Sequence, residues 1–280
     1  NNIREDGTQL NSIDFSLEID TDVLPQCFGS CWLRFDNSVE LLVGTKIIYN
    51  DLNDDITDAE EGKVTFRIEV ESNSLATSKD QKSIYPEKET FCLNNYMNQL
   101  QYQLNRSFGN NSHNLGLKKL CDPQNGTSIN IECNILVKKM TSDIALPVSL
   151  ACKIALENTP IVFPNCISQQ YSIDDRGSAG NPLCCLNTEY APLLVTVCLF
   201  GSTHIVLPSM KEMSASDGYI VFGLNSQLRA DNFECQFVRK VTLQYPDILN
   251  IKSKAEKYME ECMRRVSRYI ERVDNKFCIV

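Results

Sequence analysis

Histidine is nearly missing from this 280-residue chain: His113 and His204 are the only two. Cys-x-x-Cys is absent too, so the ligand spacings of zinc sites are not there. Tryptophan occurs once, at Trp32. A basic excess is also lacking. Lys plus Arg total 27 against 36 Asp plus Glu, a formal net charge of -9. Bulk charge therefore does not attract nucleic acid, and any RNA contact needs a local basic patch. No apolar run is long enough to span a membrane, and no signal peptide opens the chain. The closing Phe277-Cys278-Ile279-Val280 misses a prenylation box by one position. The chain opens on Asn1 rather than Met, which leaves room for residues upstream.

Cysteine is plentiful, with 13 residues. Cys184 and Cys185 are adjacent and Cys27 and Cys31 are close, while Cys133, Cys152, Cys198 and Cys262 sit inside apolar runs. They read as reduced, buried thiols acting as small hydrophobes, which points to a reducing compartment. With 42% hydrophobic and 22% charged residues, the chain can bury a substantial core as one large domain or two coupled halves. Acid is concentrated in 51–61 (DLNDDITDAEE), which reads as a solvated loop.

The stretch 130–164 organises the rest. Ile131, Cys133, Ile135 and Val137 alternate as a strand with one buried face. Ser142 or Asp143 can cap the helix that follows, with Pro147 tolerable in its first turn. That helix, 144–158, is apolar nearly all round; Ser149, Lys153 and Glu157 form one narrow polar stripe. So little polar surface requires cover on most sides. Upstream, 13–19, 29–32, 39–48 and 64–70 read as strands of an antiparallel meander. A loop follows at 72–90, then a helix marked by Leu93, Met97, Leu100, Leu104 and Phe108. Downstream, a polar linker occupies 168–182, and strands resume at 193–200 and 203–207 around a Gly201-Ser202 turn. Two more strands are expected at 218–224 and 233–238, and an amphipathic helix at 255–273. Two halves of similar content define an α+β fold with helices packed on mixed sheets. Their boundaries are 1–166, a linker at 167–189, and 190–280.

Several of these segments resemble the RNase PH family. Arg4-Glu5-Asp6-Gly7 is similar to its Arg-x-Asp-Gly-Arg opening, with Thr8 in place of the second Arg. Gly29-Ser30-Cys31, followed by Leu41-Leu42-Val43-Gly44-Thr45-Lys46, resembles two of its strands, and Tyr190 to Val206 its later hairpin. The order holds from residue 3 to about 272. The resemblance, most marked to exosome ring subunits, implies two βαβ-containing halves with the last helix alongside. It also implies a six-membered ring of family members around an RNA-conducting pore, with S1/KH cap subunits and a hydrolytic nuclease. No membrane partner and no cofactor are implied. The setting implied is the nucleus and nucleolus, and also the cytoplasm.

Candidate chemistry is weighed against simpler roles. His113 and His204 are the only partners for a nucleophile system, and each reads as structural. Gly177 to Gly180 lacks the P-loop Lys and reads as surface linker. The basic face of the last helix is interleaved with Glu256, Glu260, Glu261 and Glu271 and reads as a salt-bridged exposed face. Trp32 reads as core or interface. The resemblance places a loop carrying Lys79 and Lys82 at the pore, where they can touch single-stranded RNA without sequence preference.

Active members of the family hold phosphate with a Gly-Ser-Arg or Gly-Thr-Arg segment at a helix N-terminus, and a metal with two acids. The positions matching the first are Asp143, Ile144 and Ala145; those matching the second are Leu207 and Met213. Glu212, read as lying on a strand, would face away. These substitutions imply a scaffold without catalysis and no bound metal. An active phosphorolytic exoribonuclease is the alternative, and an unrelated adaptor on the same fold a third reading.

Overall fold

The computed structural model describes residues 4, 15–51, 62–71, 87–109, 117–122, 127–161, 186, 188, 191–201, 203–224, 230–237 and 245–277. The first half holds β1 (Leu17–Thr21), β2 (Ser30–Phe35), β3 (Val39–Asp51) and β4 (Lys63–Val70). Helix α1 (Glu87–Leu104) follows and closes in a π-helical turn, Asn105–Gly109. After a 3-10 turn, Leu117–Leu120, come β5 (Cys121–Asp122), β6 (Thr127–Met140) and α2 (Ala145–Glu157). The second half holds β7 (Leu193–Phe200), β8 (Thr203–Val206), α3 (Met210–Ala215), β9 (Gly218–Leu224), β10 (Ala230–Phe237) and α4 (Tyr245–Phe277).

β1, β2 and β3 form the expected antiparallel meander. Asp36 and Asn37 both take positive φ in the β2–β3 turn, as a turn matched to the strand twist requires. β4 departs from expectation. It does not continue the meander but pairs in parallel with β6, giving the order β1-β2-β3-β6-β4 with β5 on the flank. Alternation of Val64, Phe66, Ile68 and Val70 fixes which side is buried but not strand direction. Helix α1 is the crossover that parallel pairing needs. It then satisfies the free edge of β4: the Phe66 N–H donates to Asn105 Oδ1 and the Ile68 N–H to Gln101 Oε1. The second sheet runs β10-β9-β7-β8, antiparallel throughout.

Helix α2 lies between the sheets, against β2 and β3 on one side and β7 on the other. Every residue from Ala145 to Leu156 is buried, as its sequence demanded. The polar stripe is wet only at Glu157, however; Ser149 and Lys153 are buried. Ser149 is fully buried; its hydroxyl donates to Leu146 O and accepts from the Leu194 N–H of β7. β7 is covered on one face by α2 and on the other by α4, and its apolar run is buried almost throughout. One hydrophobic core runs through both halves, from Phe15 to Cys262. Gly29 joins β2 to the end of α2: a Cβ there would meet Ala155 O at 2.4 Å and Thr159 Oγ1 at 2.5 Å. Thr45 completes this node, accepting from the Gly29 N–H and touching the Thr159 hydroxyl.

The described cysteines Cys27, Cys31, Cys121, Cys133, Cys152, Cys198 and Cys262 are free thiols. Burial pushes the Cys31, Cys198 and Cys262 thiols up to about 12, so they remain protonated and unreactive. No helix among the described residues is long and apolar enough to cross a membrane.

Candidate functional site

The two groups of positions singled out by the family resemblance come together at the N-terminus of α2. Ser142 forms a β-bridge with Ser209. The Asp143 N–H donates to Pro208 O at 2.8 Å, and the Met210 N–H to Thr141 O at 3.1 Å. The Ser142 hydroxyl also meets that of Ser38 at 2.7 Å, so three chain segments cross here.

Asp143 does not cap α2. The N-cap is Ile144, with no side-chain capping bond. The Asp143 side chain instead turns inward and is 2% exposed. Its Oδ1 accepts a short hydrogen bond from the Tyr96 hydroxyl of α1 and a 2.9 Å bond from the Thr196 hydroxyl of β7. Its Oδ2 has no protein partner. The amides of Ile144 and Ala145 face the carboxyl and favour its charge without closing bonds to Oδ2. Burial outweighs all these donors and pushes the acid up to about 6. Burial, and then the neighbouring Asp143, holds the Tyr96 phenol well above its usual range.

This end of α2 is poorly suited to inorganic phosphate. Helix N-termini bind anions through free N–H groups and the helix dipole. Here an acid of the chain itself stands beside the first amides, and Pro147 removes one donor from the first turn. Ile144 and Ala145 are fully buried and carry neither hydroxyl nor cation.

The other half of the site fits a metal no better. Leu207 and Met213 have no oxygen ligand to offer from their side chains. Glu212 does not lie on a strand, as its surroundings in the sequence suggested, but in the short helix α3. There it forms a capping box with Ser209: the Ser209 N–H donates to Glu212 Oε2 at 2.8 Å and the Glu212 N–H to Ser209 Oγ at 3.2 Å. Glu212 also holds Arg4, whose Nη2 lies 2.7 Å from Oε2. Among the described residues no cluster of three or more His, Cys, Asp or Glu could hold a metal. Leu207 itself takes φ 50, a left-handed conformation costing about 1–3 kcal/mol for a residue of this kind, and it precedes a proline.

His204 is on β8, its Nε2 buried without a partner and its pKa lowered by burial and then by Lys254. The Trp32 indole donates to Glu40 on the outer sheet face. On α4, Arg264 and Arg265 both pair with Glu261, the salt-bridged face that was expected. Lys79, Lys82, His113 and 177–180 lie outside the described residues, as does the 167–189 linker apart from Leu186 and Thr188. Tyr96 and Thr196 were not foreseen as partners of Asp143.

Two sheets clasping a buried helix, with a parallel β4-α1-β6 crossover in the first half and a split β8-α3-β9 crossover in the second, make up an α+β architecture that likeness to solved exosome-core structures shows to be RNase PH-like. Three solved structures share it. An archaeal exosome core has TM-score 0.68 and 16% identity, covering 94% of this chain and 91% of that one. The Archaeoglobus fulgidus exosome with RNA bound to the active site has TM-score 0.68 and 18% identity, covering 96% and 93%. Rrp46 of rice (Oryza sativa) has TM-score 0.57 and 10% identity, covering 93% and 98%. No protein-family model matches the chain.

Proposed function

We propose that this chain is a non-catalytic ring subunit of an RNA exosome, most like ribosomal RNA-processing protein 42, serving 3'-to-5' RNA processing and degradation. One observation carries the reading: the N-terminus of α2 faces the chain's own buried Asp143 carboxyl instead of presenting a hydroxyl and a guanidinium to phosphate. Leu207 and Met213 support it from the metal side. A site altered in both halves is not restored by one change.

On this reading the partners are other RNase PH-like ring subunits, S1/KH cap subunits, a hydrolytic nuclease reached through the ring, and single-stranded RNA at Lys79 and Lys82. The setting is the nucleus and nucleolus, and also the cytoplasm. The alternative, an active phosphorolytic exoribonuclease, rests on the fold alone.

The test of ring membership is co-purification. The chain recovered from its own cell should carry other ring subunits, and with its neighbour it should form a defined heterodimer. A well-behaved monomer with no affinity for any ring subunit contradicts the proposal.

A further inference from the structure

Arg4 reaches more than 200 residues along the chain to the turn that precedes α3. Its Nη2 donates to Leu207 O at 2.8 Å and to Glu212 Oε2 at 2.7 Å. Its Nε donates to Glu212 Oε1 at 3.2 Å and its Nη1 to Val206 O at 3.5 Å. A planar fork thus meets a carboxylate in two-point fashion, with two main-chain carbonyls beside it. Both side chains are largely buried, at 14% and 12% exposure.

The acceptors are fixed without Arg4. The Leu207 N–H is held by Thr196 O at 3.0 Å, and Pro208 O receives the Asp143 N–H. Between these ties Leu207 adopts φ 50, so its carbonyl direction follows from a strained backbone. Glu212 is fixed independently by its capping box. Strain and prior fixation at one point mark a built recognition site rather than a surface ion pair.

We infer that the Val206–Glu212 turn is a guanidinium-binding site, occupied by Arg4, that ties Arg4 to the second half of the molecule. Shape and bidentate geometry select guanidinium over ammonium, because two coplanar nitrogens, Nε and Nη2, meet the two carboxylate oxygens separately while Nη2 also reaches the Leu207 carbonyl, and a single ammonium nitrogen does not reproduce that spacing. The clasp does not depend on ring membership. Arg4 belongs to a motif that the sequence singled out, and the clasp supplies a structural role for it.

Chemical rescue tests this. The full chain, with whatever subunits it retains on purification, is prepared as wild type, Arg4→Ala, Arg4→Lys and the double variant Arg4→Ala/Glu212→Gln. Melting temperatures are read in low-millimolar ethylguanidinium chloride and in equal ethylammonium chloride. Arg4→Ala should melt several degrees below wild type, and Arg4→Lys should recover little of that loss. Ethylguanidinium should restore about half of the Arg4→Ala loss by filling the emptied site, while ethylammonium should not. The double variant should lose the rescue. If Arg4→Ala is recovered only unfolded, its refolding yield in the two salts becomes the readout, with the same expectations. Equal stability of Arg4→Ala and wild type, wild-type stability of Arg4→Lys, or equal rescue by both cations would overturn the inference.

Discussion

Asp143 offers a perturbation whose size follows from its surroundings. Its carboxyl is buried and titrates near 6 in the folded chain, against 3.8 for the free side chain. The folded value is the higher one. Its stabilising contribution is therefore fully present below the unfolded pKa and is lost as pH rises through the folded one. A gap of roughly two units corresponds to about 3 kcal/mol in full, of which about 2.4 kcal/mol is lost between pH ~4 and pH ~7. Asp143→Asn removes the titration and keeps the shape. Its amide oxygen can still accept from Tyr96 and Thr196, while its NH2 replaces the unpartnered Oδ2 and adds a cost that does not vary with pH. The stability of wild type minus that of Asp143→Asn should therefore fall by about 2.4 kcal/mol from pH ~4 to pH ~7, the other titrating groups cancelling in the difference. Urea unfolding at fixed temperature across this range measures it. Parallel curves for the two proteins would refute the reasoning, and so would a difference that grows with pH. Asp143→Ala also removes the titration, so its difference from wild type should fall with pH in the same way, but it leaves two buried hydroxyls without their acceptor, which adds a pH-independent cost of about 1–3 kcal/mol for each.

Two further outcomes are expected. Gly29→Ala drives a Cβ into Ala155 O and Thr159 Oγ1, both tied to the end of α2, and should lower the urea midpoint by the equivalent of about 1–3 kcal/mol; a change within measurement error would mean that the node gives way. Replacing Lys79 and Lys82 by Glu should weaken single-stranded RNA binding by the assembled ring, chiefly at low salt, and unchanged binding across a salt series would remove both from the RNA path.

Much of the architecture was legible because it was written in local patterns. The continuous apolar run 193–200 gave β7 its bounds, and the alternation from Ile131 to Val137 gave the middle of β6. The all-round apolarity of 144–158 required a helix covered on both sides, and α2 lies between two sheets. Gly201 takes φ +56 at the turn where it was expected. What was illegible depended on partners distant in sequence. Strand direction at β4 is set by the α1 crossover, not by its own residues. Ser149 reads as solvent-facing until Leu194 supplies a donor inside the core. Asp143 reads as a helix cap, and only the fold brings Tyr96 and Thr196 to it. The misplacement of Glu212 was avoidable, since Ser209-x-x-Glu212 is a capping-box pattern and starts a helix.

The most direct measurement of the central claim is turnover. The chain, purified free of catalytic partners, is given single-stranded RNA with phosphate and magnesium, and nucleoside diphosphates are followed. No release is expected. None is expected either from the triple variant Asp143→Gly, Ile144→Ser, Ala145→Arg, because Leu207 and Met213 still supply no carboxylate. Phosphate-dependent release of nucleoside diphosphates by the unmodified chain would contradict the account.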